Sequence, residues 1–302
     1  MGVAVVARGE DTVIVDAGDN KPHIRRTGTI VDSSGAGITL ELASGRREQI
    51  RLDQVVAIET AKVKGHNTAD RFLGEGKYRD ALSAYRSAVE SDNRAWMRRE
   101  ILAQMVVCYQ RLNRIEEAGQ TFSIIVRSDP QTQFFSVIPL SWKPQQPLPN
   151  LERQAKAWLE DADVPAMALV GASWLLNSAE RGAAEDMIRT LATGKDANVA
   201  MLAEAQRWRT QIVTATRQDT LAWQRRIEQF PEMLRAGPYL TLGRALARLE
   251  QHEQAALTLM RIPILHAVQS DLAAEALLNL LSWLDPAPIP RALLESDAAE
   301  AA

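Results

Sequence analysis

An enzyme needs a nucleophile beside a base, a placed pair of acids, a metal cluster or a phosphate-binding loop, and this chain offers only fragments of each. The four histidines, His23, His66, His252 and His266, fall at no local metal-binding spacing. Gly171, Ala172 and Ser173 begin like a nucleophile elbow, but Leu175 stands where the second glycine belongs. Gly74, Gly76 and Lys77 look like the end of a phosphate loop, yet Arg71 replaces the leading glycine and Tyr78 the metal-binding hydroxyl. Glu180, Glu185 and Asp186 share a helical stretch with Arg181 and Arg189, the mixed charge of a solvated face. Cys108 is the only cysteine, so an internal disulfide or cysteine-based zinc site is excluded, and its place beside Tyr109 reads as core. These residues imply no catalytic group and no cofactor. A hydrolase whose residues converge only in the fold stays open as an alternative.

Aromatic and basic residues are the next source of chemistry. Most of the seven tryptophans (96, 142, 158, 174, 208, 223 and 283) have apolar neighbours at helical spacing and read as core wedges; Trp142, among prolines, reads as an anchor or a partner contact. Between Lys21 and Lys64 eight basic residues face five acidic ones, a net of +3, and Arg25, Arg26, Arg46 and Arg47 would be the contacts of an RNA-associated factor. That segment contains no Phe, Tyr or Trp on which bases could stack, which argues against nucleic acid.

The elements that must position these groups fall into two textures. Up to about residue 62 the chain is rich in Val, Ile, Thr and Gly, with strand patterns at Val13 to Val15, Thr29 to Val31, Ile38 to Leu42, Ile50 to Leu52 and Val55 to Ile58. Turn clusters at Gly18 to Asn20, Ser33 to Gly37 and Ser44 to Gly45 separate them. Five short strands hide their edges best by curling closed, so a small SH3-like or Sm-like β-barrel is expected over residues 1–62.

Beyond Lys64 the period becomes helical, and one hairpin pattern is written twice. The first copy carries Ala69, Phe72, Gly76, Tyr78, Ala81, Tyr85 and Ala88; the second carries Tyr109, Ile115, Ala118, Phe122, Ile125 and Pro130. Small residues let the helices approach and aromatics fill the grooves between them, while Gly76 and Asn113 suit the turns. This pattern resembles the tetratricopeptide repeat family, whose unit is about 34 residues; here Ala81 and Ala118 are 37 apart. A third, weaker copy runs through Tyr239, Leu242, Gly243, Leu246, Ala255, Leu259 and Ile262, with Ala267 in place of the closing proline. The resemblance implies stacked hairpins that present a surface to protein partners. The lysine, asparagine and arginine that clamp a chaperone tail in some members are replaced here by Val63, His66, Asp70, Glu100 and Ala103, so that partner class is not implied.

Pro139, Pro144, Pro147 and Pro149 make residues 138–150 read as a proline-rich connector. Helical patterns resume from Leu151, including the stripe Met201, Ala205, Trp208 and Ile212, and Pro286, Pro288 and Pro290 end them. The expected organisation is therefore α+β: a barrel over 1–62, tetratricopeptide-like hairpins over 63–137, the connector, a helical repeat-like domain of 151–290 and a disordered tail of 291–302, with about twelve helices in all.

With a formal charge of -3 and 46% hydrophobic residues, the chain carries no overall pull toward nucleic acid or anionic membrane and enough apolar material for a core. No apolar run is long enough to span a membrane. As given the sequence reads as cytoplasmic; a periplasmic or envelope location follows if an export signal precedes Met1. The expected function is a non-catalytic, bacterial-type scaffold in a multiprotein assembly, with His66, Asp70, Gln104 and Gln110 on the inner faces as partner contacts.

Overall fold

The computed structural model describes residues 10–18, 21–145, 147–161, 163–266 and 270–284. Asn20, Ala267, the proline cluster at 286–290 and the expected tail of 291–302 lie outside them. The chain divides between Val137 and Ile138 into two compact units. It is α+β, a five-stranded antiparallel sheet followed by twelve α-helices among the described residues.

In the first unit the strands are β1 (Asp11–Val15), β2 (Ile24–Ser34), β3 (Gly37–Glu41), β4 (Arg47–Ile50) and β5 (Val55–Glu59), in spatial order β4-β3-β2-β1-β5. The sheet is open, with β4 and β5 as its two edges, rather than the closed barrel expected from strand number. The long β2 serves both halves: its first part pairs with β1 and, beyond Gly28, it pairs with β3 through a bulge between Ile30 and Asp32. Val13, Ile30, Ile38, Leu40 and Ile50 are buried. Closure is unnecessary because a helix reaches the sheet: the Trp96 indole donates to the Ile30 carbonyl at 3.2 Å, and Arg99 donates to the Ser33 carbonyl at 2.9 Å and pairs with Asp32.

Four helices complete this unit: α1 (Lys64–Gly74), α2 (Tyr78–Ser91), α3 (Ala95–Arg111) and α4 (Ile115–Ser128). Helix α3 exposes only Ala95 and Arg98, because α2, α4 and β2 all pack against it. Tyr85 and Phe122 are wholly buried within helices. At the end of α4, Asp129 accepts the Gly35 amide at 2.9 Å, pinning the β2–β3 turn where a side chain on Gly35 would strike the Gln131 carbonyl.

The second unit holds α5 (Pro149–Leu159), α6 (Pro165–Leu175), α7 (Arg181–Leu191), α8 (Ala197–Gln211), α9 (Arg217–Ile227), α10 (Ala236–Arg248), α11 (His252–Leu265) and α12 (Ser270–Leu284). Ala166 to Leu175 are all buried, so α6 is the central helix, and Gly171 lets it approach α5 to a distance that any side chain would close. The six tryptophans whose side chains are described are all buried, with Trp208 stacked between Trp223 and Phe230; the side chain of Trp283 lies outside the described set.

The stretch read from sequence as a connector begins inside this unit. Ile138 to Trp142 are buried and form neither helix nor strand, and the Leu140 amide turns back to the Ile138 carbonyl at 2.9 Å. Buried backbone groups need partners, and here side chains provide them. Trp174 donates to the Pro139 carbonyl, Gln206 and Arg209 to that of Ser141, Arg244 to that of Trp142 and Arg209 to that of Lys143, while the Ser141 amide donates to the Ser173 hydroxyl. The Trp142 ring fills the space a side chain would need at Gly237. Prolines exclude helix here, as expected, but the apolar residues between them form a buried strap.

Three hairpins, α1–α2, α3–α4 and α10–α11, turn the same way. Gly76, Asn113 and Glu250 each adopt positive φ, of 72°, 54° and 60°. The next amide donates back five residues in every case, Lys77 to Phe72, Arg114 to Tyr109 and Gln251 to Leu246, which is the Schellman closure of a helix. Five residues after the turn stand Ala81, Ala118 and Ala255; nine after it stand Tyr85, Phe122 and Leu259. All six are wholly buried.

Candidate functional site

A group of interacting titratable side chains in the first unit surrounds residues 60–63, which tie β5 to α1. Lys62 extends from this tether and bridges two carboxylates, Asp70 of α1 at 2.9 Å and Glu100 of α3 at 3.1 Å. Tyr85 of α2 donates to the second acceptor on Asp70, Oδ1, at 2.8 Å. His66, one helical turn before Asp70, places Nε2 at 3.5 Å from Asp70 and 3.8 Å from Glu100, with its ring edge-on to Tyr85. Its side chain is wholly buried, and neither ring nitrogen has a hydrogen-bond partner among the described residues.

A second network holds the other end of the tether. Arg94, at the start of α3, is bonded to Asp92 and donates to the Thr60 hydroxyl and the Ala61 carbonyl. Thr60 in turn donates to Asp11 of β1, whose other oxygen accepts the Ile30 amide. The sheet is thus joined to the hairpins by charged and hydroxyl groups rather than by apolar contact alone.

Electrostatics follow from these distances. Burial works against the Lys62 ammonium, but its bonds to Asp70 and Glu100 outweigh that penalty and raise its pKa. Burial and then the Lys62 charge lower the pKa of His66 against the pull of Asp70, Glu100 and Asp92. Burial and the bond to Asp70 raise Tyr85 well above its ordinary value. The Cys108 thiol is pushed up to about 12 by burial, which keeps it a thiol at neutral pH. No group of three or more His, Cys, Asp or Glu among the described residues is disposed to hold a metal ion.

Of the four residues expected to touch a partner, His66 and Asp70 come together in this cluster. His66 is turned wholly inward, so it offers a partner no surface; its helical stripe lies under α2. Gln104 is half-buried on α3, one turn beyond Glu100. Gln110 is remote from the cluster in sequence and donates to the Val137 carbonyl at 3.1 Å. Lys62, Tyr85 and Glu100 were not singled out from sequence as site residues, since 38 residues separate Lys62 from Glu100 and no local spacing connects them.

Four arginines of the sheet region are paired with carboxylates, whereas Arg46, exposed in the β3–β4 turn, has no ion pair among the described residues. Arg25 pairs with Glu59 at 2.5 Å, Arg26 with Glu48 at 3.6 Å and Arg47 with Glu41 at 2.9 Å, and Arg51 pairs with Asp53. Phosphate binding at these four would have to displace each carboxylate. No helix among the described residues is long and apolar enough to cross a membrane. The chain matches no family model and no curated protein.

Proposed function

We propose that this protein is a non-catalytic scaffold whose tetratricopeptide-like hairpins hold a protein partner. The observation that carries the reading is the common register of the α1–α2, α3–α4 and α10–α11 turns, with a positive-φ residue, an alanine five positions on and a large apolar or aromatic residue nine positions on. Such pairs cannot bury their apolar faces alone and gain stability by stacking within each unit, which leaves helical surfaces for recognition. The paired arginines of the sheet support protein over nucleic acid as the ligand.

The test is capture of the full chain from its native cells with crosslinking, repeated with Gln104→Lys. Crosslinks on the hairpins and at least tenfold weaker capture by the variant are expected. Recovery of nucleic acid alone, or crosslinks confined to β1–β5, would reject the scaffold reading.

A further inference from the structure

Every charged group that faces His66 belongs to a different part of the first unit. Lys62 comes from the tether, Asp70 from its own helix and Glu100 from α3; Asp92 stands between α2 and α3 and is already bonded to Arg94. Tyr85 faces the ring from α2 and is itself bonded to Asp70. The neutral imidazole therefore lies beside two carboxylate oxygens that are already engaged, Oδ1 of Asp70 by the Tyr85 hydroxyl and Oε1 of Glu100 by the Lys62 ammonium, at distances that fall short of a hydrogen bond.

We propose that this cluster is an acid-sensitive clasp, in which protonated His66 competes with Lys62 for Glu100 and so loosens residues 60–63, the link between sheet and hairpins. One proton enters from solvent onto the unprotonated ring nitrogen, and both nitrogens become donors. A shift of about 1 Å brings Nε2 within charge-assisted bonding distance of Glu100. Two cations then meet on one oxygen, Oε1 of Glu100, and repel one another there. Lys62 is the one that can leave, since its side chain is 28% exposed and its ammonium can reach water, whereas the ring is wholly enclosed. The sign of the effect is set by burial: a histidine whose folded pKa lies below its unfolded value supports the fold fully above about pH 6.5 and loses that support as the pH falls through the folded value.

Amide hydrogen exchange of the full chain, corrected for intrinsic rate, tests the clasp. Between pH 7 and pH 5 protection in residues 60–75 should fall at least about tenfold in the native protein and stay level in His66→Gln, while residues 138–143 stay level in both. A parallel fall in both proteins, or no fall in the native one, overturns the proposal. Histidine ring NMR provides a second reading that does not depend on the variant folding. His66 should titrate below 6.5 in the native chain and move upward in Lys62→Met, where the opposing charge is gone; titration at or above 6.5, or no movement, also overturns it.

Discussion

The tether at residues 60–63 and the strap at 138–143 pose one physical problem in two units and receive answers of different emphasis. Each is an irregular segment that must be held against helices without a β-ladder. The tether is held mainly by ion pairs, with Lys62 and Arg94 facing Asp70, Glu100 and Asp92, and Arg94 also donates to the Ala61 carbonyl. The strap is held mainly by donors to its carbonyls: Arg209 bonds the Ser141, Lys143 and Ser173 carbonyls and the Gln206 side chain, while at the strap's end Lys143 pairs with Glu275. Burial, and then the neighbouring Arg244, bring the pKa of Arg209 down to about 9, so it remains charged at neutral pH. The difference teaches where each unit is sensitive. Carboxylates titrate and are screened, whereas backbone carbonyls do neither.

Removing the anchor of the strap should have the largest effect. Trp142→Ala leaves a void against α10 and is expected to destabilise the second unit by about 3–5 kcal/mol, read by denaturant unfolding. Arg209→Met should cost on the order of 3 kcal/mol, since each buried carbonyl left without a donor costs about 1–3 kcal/mol. A loss under about 1 kcal/mol would show that water replaces the guanidinium. Lys62→Met should cost only about 1 kcal/mol, because its carboxylate partners are 36% and 28% exposed and reach solvent. That loss should shrink further in 1 M salt while the Arg209→Met loss holds, and equal salt dependence would erase the contrast drawn between the two segments.

The smallest effect compares the shared hairpin turns. Glu250 occupies a left-handed position that Gly76 and Asn113 fill with less strain. Glu250→Gly should therefore raise stability by about 0.5–1 kcal/mol, measured as a higher unfolding midpoint. No gain would mean that the glutamate side chain repays its backbone cost locally.

What could be read from the sequence followed local periodicity. The five strand patterns appear as β1–β5, and the alanines of the repeated hairpin, with Tyr85, Tyr109 and Phe122, occupy buried helical positions, whereas Phe72 and Tyr78 are half-buried. Barrel closure was inferred from strand number alone and did not anticipate that Trp96 and Arg99 would reach the sheet, because such pairing depends on residues 66 positions apart. The strap escaped for a similar reason. Its prolines declare that it is not helical, but its burial is decided by Trp174, Gln206, Arg209 and Arg244, which no short window contains. At the candidate site only the His66–Asp70 pair has helical spacing; Lys62 and Glu100 join it through the tertiary fold.

The strap also carries a consequence for the order in which the second unit matures. Its Trp142 carbonyl waits for Arg244, 102 residues later, and its Ser141 carbonyl for Gln206 and Arg209. During synthesis the segment emerges first and is completed last, so a nascent chain halted before α10 would lack Arg244 and the Gly237 surface that covers Trp142. Ribosome-bound intermediates ending near residue 235 should accordingly be more open to protease between 138 and 145 than chains that extend past 250.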